Sequence, residues 1–140
     1  MLKKLFLLVS VVFLLTACGG LSAPATEVTV EETDFLFSPD TITVPLGKPV
    51  TLTITNSGVV EHDFGIQKIS VSDVSMGHEE GMSHDMGAME LDLHVATQPN
   101  GVSTVTFTPT EAGEYEFFCS VPGHKEAGMM GKLTVIASDQ

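Results

Sequence analysis

The sequence predicts an all-β domain, a sandwich of about eight short strands, on three observations. Apolar and polar residues alternate with period two in several runs: Val50, Leu52 and Ile54 against Thr51, Thr53 and Thr55, and Val105 and Phe107 against Thr104, Thr106 and Thr108. Alternation of β-branched and aromatic residues with threonine marks strands that bury one face. Turn-forming residues recur between the runs, at Ser38-Pro39-Asp40, Pro45-Leu46-Gly47, Asn56-Ser57-Gly58, Pro99-Asn100-Gly101, Glu111-Ala112-Gly113 and Val121-Pro122-Gly123. Within the domain no stretch carries a helical apolar stripe of useful length, so half-buried antiparallel strands in two packed sheets are expected.

Residues 1–17, MLKKLFLLVSVVFLLTA, stand apart from this pattern. Two lysines precede an apolar run from Leu5 to Leu15 that is short for a membrane span, and small residues follow it, which is the build of an export signal. Its end, Leu15-Thr16-Ala17-Cys18, resembles a bacterial lipobox. That resemblance implies cleavage before Cys18, acylation of Cys18, and an exported chain anchored by lipid at the periplasmic or extracellular face of a bacterial membrane. Residues 18–26 then read as a lipidated tether, and residues 27–138 as one domain.

Charge narrows the partners. Losing Lys3 and Lys4 with the signal leaves four lysines, no arginine and eighteen acids, a formal charge of −14. Such a chain does not bind nucleic acid or adhere electrostatically to anionic lipid, and a charged protein partner has to present a basic face. Nothing calls for a second subunit, and a monomer is expected. The strand rhythm breaks once, at residues 70–90, SVSDVSMGHEEGMSHDMGAME, which reads as a long loop rich in methionine and histidine.

With Cys18 assigned to lipid, Cys119 has no disulfide partner in a compartment where disulfides form. A lone thiol there needs a holder, and metal is the usual one. Cys119 ends the strand run EYEFFC, in which Tyr115, Phe117 and Cys119 share a face, and Gly113-Glu114-Tyr115 is placed to form a tyrosine corner. His124 follows Cys119 by five residues and Met129 by another five, all within one turn marked by glycine and proline. A thiolate, two imidazoles in a near-trigonal plane and a weak axial thioether make a copper site of the electron-transfer type. The turn lacks one imidazole; His62, directly after the strand VTLTIT, supplies it, with His94 on a neighbouring strand as the alternative. Met130 is the alternative to Met129. A Cys-His-His trio would also take zinc, but a thioether suits Cu(I) and favours copper.

This pattern resembles the cupredoxins, the blue copper proteins. An early histidine behind an Asn-containing turn is followed by Cys-x4-His-x4-Met, and the wording Cys-Ser-Val-Pro-Gly-His with a nearby Gly-Met is close to the auracyanin and plastocyanin-like branch. The likeness covers roughly residues 27–136. It implies a Greek-key sandwich with one type 1 copper at one end, held by His62, Cys119, His124 and Met129.

With every donor supplied by protein, no position remains open for a substrate, so an enzyme is not expected. The expected function is a membrane-anchored one-electron carrier between a redox donor and an acceptor protein, with the edge of His124 and the neighbouring Val121, Pro122 and Met130 as the electron's exit. The alternative is a copper protein for sequestration or delivery, with additional Cu(I) on Met76, His78, Met82, His84, Met86 and Met89 in the loop.

Overall fold

The structure is a computed structural model that describes residues 23–77 and 90–137. The expected signal at residues 1–17, Cys18, most of the tether, and His78, Met82, His84, Met86 and Met89 lie outside the described residues.

Ten strands form two five-stranded sheets, and no helix occurs among the described residues. The strands are β1 (Glu27–Thr33), β2 (Leu36–Ser38), β3 (Thr41–Pro45), β4 (Val50–Asn56), β5 (His62–Ile66), β6 (Val71–Gly77), β7 (Leu93–Thr97), β8 (Val102–Pro109), β9 (Gly113–Phe118) and β10 (Met130–Ile136). One sheet has the order β2-β1-β4-β8-β6 and the other β3-β10-β9-β5-β7. The chain changes sheet repeatedly, as in a Greek-key sandwich, and every turn signal read from the sequence falls at a strand end or in a loop between strands.

The alternating runs face inward as their period demands. Val50, Leu52 and Ile54 are buried while the intervening threonines are not, and Val105 and Phe107 oppose Leu52 and Val50 across the β4–β8 ladder. From the other sheet Phe64 stacks on Phe117 at 4.6 Å between ring centroids, and Phe37 meets both rings edge-on. The expected tyrosine corner is present, with the Tyr115 hydroxyl donating to the carbonyl of Glu111 at 3.0 Å.

Two expectations need correction. The strands are not all antiparallel, because β1 pairs parallel with β4 and β3 pairs parallel with β10. Each of these partners is reached by a crossing between sheets, which frees it from the antiparallel geometry a short hairpin imposes. The run 70–90 is not strandless throughout either: Val71–Gly77 forms β6, an edge strand on β8 whose residues after Val71 are all exposed. Its alternation of Val71, Val74 and Met76 with serine is put out of phase by Asp73, which hides the strand in the sequence. β6 runs in the direction of β4, both being antiparallel to β8, and so carries Met76 toward the end where β4 stops at Asn56.

Candidate metal centre

Two segments converge at that end of the sandwich. The turn after β4 is built on Asn56, which is buried and uses its whole amide. Its nitrogen donates to the carbonyls of Val60 at 2.8 Å and Thr97 at 2.9 Å, and its oxygen accepts from the Gly58 N–H at 2.8 Å. This fixes the path into β5, whose first residue is His62.

Cys119 lies just past the end of β9. The loop from it to β10 is closed by its own backbone: Cys119 N–H donates to the Met129 carbonyl at 3.1 Å, Met129 N–H to the His124 carbonyl at 3.0 Å, and His124 N–H to the Val121 carbonyl at 3.0 Å. Gly123 and Gly128 take φ of 89° and 106°, a conformation that side chains oppose, and so allow the loop to turn back twice. The spacing Cys-x4-His-x4-Met is thus the spacing of a hydrogen-bonded loop.

The side chains converge on one point. His62 Nδ1 and His124 Nδ1 are 3.1 Å apart, Cys119 Sγ is 3.4 Å from His124 Nδ1, and Cys119 Sγ is 3.9 Å from His62 Nδ1. His62, Cys119 and His124 are buried and group as candidate metal donors. A point in the middle of this triangle lies about 2 Å from each corner, the length of a metal–imidazole bond and slightly short of a metal–thiolate bond. Met129 is fully buried and Met130 is exposed, so of the two methionines Met129 is the one turned inward. His94 is not in the group; its Nε2 lies 3.2 Å from Asp63 Oδ2.

The electrostatics suit a cation. Burial pushes the Cys119 thiol up to about 12, with the Asp63 and Glu32 carboxylates adding to the shift against the pull of backbone N–H groups. The free thiol is therefore protonated and inert without metal, and a metal has to displace its proton. Burial and the neighbouring His62 lower His124, which keeps its ring neutral and able to donate a lone pair. Asp63 N–H points to Cys119 Sγ at 3.5 Å. Burial raises the Asp63 carboxyl, but hydrogen bonds from His94 and from the Ser120 N–H and hydroxyl outweigh it and leave the group below the usual carboxylate range.

Sequence reasoning missed Asp34, Phe35, Asp63 and Glu32. Asp34 Oδ1 accepts from His62 Nε2 at 3.4 Å, which leaves Nδ1 as the free lone pair facing the centre. Phe35 packs on His124, so His124 is nearly buried and does not present the exposed edge expected of it. The one available signal was in β1, where Val28, Val30 and Glu32 alternate on one face and place an acid inward.

A β-sandwich with a buried thiol, two imidazoles and a thioether at one end defines a protein with a type 1-like copper arrangement. The chain belongs to the cupredoxin-like domain family, whose model matches residues 5–135. It is 38% identical over 103 residues to the copper-resistant cuproprotein CopI of Rubrivivax gelatinosus, spanning 71% of this chain and 59% of that one. It is 31% identical to auracyanin-A of Chloroflexus aurantiacus, spanning 94% of each chain. The solved structure of that auracyanin, described as a "blue" copper protein, superposes with a TM-score of 0.55 at 26% identity, covering 79% of this chain and 99% of that one. A reduced auracyanin from Roseiflexus castenholzii shares the fold with a TM-score of 0.64 at 23% identity, covering 81% and 99%.

Proposed function

We propose that this protein is a membrane-anchored one-electron carrier, with His62, Cys119, His124 and Met129 as the ligands of a single type 1 copper. The observation that carries the proposal is the triangle of buried donor atoms, all from protein, with a buried thioether on the same loop. Copper held by these residues would supply a one-electron couple, Cu(I)/Cu(II), that needs little rearrangement. The chain's own part is to hold the donors in place: the Asn56 turn fixes His62, the backbone-closed loop fixes the other three, and burial excludes water. No position is left open for a substrate, which supports a carrier over an enzyme. Similarity to a blue copper protein along nearly the whole chain points the same way. The partners are redox proteins with a basic face, and the anchor is Cys18 on the exported side of a bacterial membrane.

Copper titration of the full chain, followed by visible and EPR spectra, tests the assignment. One ion per chain and intense thiolate-to-copper absorption are expected, with the absorption abolished in Cys119→Ser. Met129→Leu should keep the colour and raise the potential, because the thioether would be the weakest of the four donors. A Cys119→Ser protein that stays blue would sink the ligand set. Cys18→Ser should leave the spectrum intact and move the protein out of the detergent phase; a wild type found only in the aqueous phase removes the anchor.

A second function, copper sequestration or delivery, is favoured by the similarity to CopI, a copper-resistance protein by name. Met76, exposed on β6, would then begin an auxiliary Cu(I) site with His78, Met82, His84, Met86 and Met89. Cu(I) stoichiometry under a competing chelator separates the two: the carrier binds one ion with or without residues 78–89, and the handler loses ions on their deletion.

A further inference from the structure

The turn between β1 and β2 reaches over both histidines. His124 sits in a surface loop, yet only 9% of it is exposed, whereas Phe35 is 45% exposed. The Phe35 ring stands over His124 with centroids 5.1 Å apart and planes at 85°, the edge-to-face arrangement that aromatic rings favour. Phe35 does this at φ 69°, a left-handed conformation that opposes any side chain and costs glycine nothing. A ring kept at a strained position over a metal-binding side chain points to a task for the ring.

One residue earlier, Asp34 Oδ1 accepts from both His62 Nε2 at 3.4 Å and the Val59 N–H at 3.2 Å. Gly58 leaves the room for this bond. A Cβ there would stand 2.6 Å from Asp34 Oδ1 and 2.9 Å from His62 Nε2, inside the hydrogen bond itself.

We propose that Asp34 and Phe35 form a clamp on the metal centre, Asp34 orienting His62 and Phe35 closing His124 off from water, so that a redox partner meets the Phe35 ring before the imidazole. The two act on the potential in opposite directions. The Asp34 carboxylate places negative charge beside the centre and favours its oxidised form, whereas exclusion of water by Phe35 favours the reduced, less charged form. Both are positioning residues; neither is a ligand. The redox part of the clamp rests on the electron-carrier function proposed above, but the shielding of His124 does not.

Two measurements on the full chain test it. In metal-free protein, diethyl pyrocarbonate modification is located by peptide mass, with the more exposed His94 as internal reference. His124 should react more slowly than His94 in the wild type and in Phe35→Tyr, which keeps a ring. In Phe35→Ala its rate should rise relative to His94, by roughly tenfold at most if the gain matches the worth of the lost edge-to-face pair. In copper-loaded protein, Phe35→Ala should lower the reduction potential. Asp34→Asn, which keeps an acceptor oxygen and loses the charge, should raise it, while Gly58→Ala should perturb the spectrum by pushing Asp34 from His62. Unchanged His124 reactivity in Phe35→Ala overturns the shield, and unchanged potentials in both variants overturn the clamp's redox role. Absence of a coloured centre in the wild type would remove the carrier function and leave the modification result to decide the shield by itself.

Discussion

Glu32 on β1 and Asp63 on β5 are two buried carboxyl groups in opposite sheets, both close enough to the metal end to raise the Cys119 thiol, and they are treated in opposite ways. Asp63 accepts hydrogen bonds from the Ser120 N–H, the Ser120 hydroxyl and His94, and its pKa falls below the ordinary value despite burial. Glu32 is fully buried with neither oxygen in a hydrogen bond, and desolvation, aided by the Asp63 charge, raises it to about 8. The Thr97 hydroxyl lies beside it and draws the value down somewhat, but without acceptable hydrogen-bond geometry. Burial alone does not set the charge state of a carboxyl; the donors around it do. The protein thus keeps one anion and one neutral acid side by side.

The largest effect should come from removing the partnered group. Asp63→Ala leaves three donors without an acceptor, and a loss of about 4 kcal/mol is expected in urea unfolding of metal-free protein. A loss below about 1 kcal/mol would mean that the network is not holding β5 to the Cys119 loop. The orphan group should behave in reverse. An acid raised in the folded state stabilises fully below its unfolded pKa, and that stability is lost as pH rises from about 4.5 to about 8. Glu32→Gln should therefore change little at acid pH and stabilise by about 2 kcal/mol at about pH 6, where the unfolded wild type is ionised and the folded one is not. If wild type and variant show the same pH slope across that window, Glu32 is not the neutral acid described. Asp63 contributes with the other sign, its stabilisation being present above the ordinary carboxylate range and lost as pH falls through its lowered pKa. The smallest effect belongs to His94→Gln. It replaces one of three donors at a partly exposed position, so about 1 kcal/mol is expected from thermal unfolding, and a loss as large as that of Asp63→Ala would place His94 at the centre of the network.

The same contrast explains what could be read from the sequence. β4 was legible because its inward face is apolar in strict alternation, β8 and β9 because theirs alternate over most of their length, and the loop from Cys119 to Met129 because few functions need a thiol, an imidazole and a thioether at that spacing. His62 followed from its place behind a strand. The clamp by Asp34 and Phe35 was not legible, since nothing local tells which turn of a sandwich lies over which end; that depends on β1 pairing with β4, which sets Glu32 beside Asn56 although the two are far apart in the chain. Glu32 was legible in its register and passed over by its chemistry, because an acid in a strand is ordinarily a solvent-facing residue. β6 alternates Val71 with Ser72 and Val74 and Met76 with Ser75, but the extra residue at Asp73 breaks the phase, so its identity rests on a ladder with β8 that only the folded chain provides.

That ladder is irregular in a way that bears on how copies of the protein stay apart. The β6–β8 register slips between Ser72 and Ser75, and Asp73, at the slip, takes φ 53°. A sheet edge with free N–H and C=O groups invites a strand from another chain, and a bulge carrying a charge twists that edge out of line. The slip at Asp73 therefore makes β6 a poor template, and a regular, uncharged β6 would turn the rim of this sandwich into a place where molecules add end upon end.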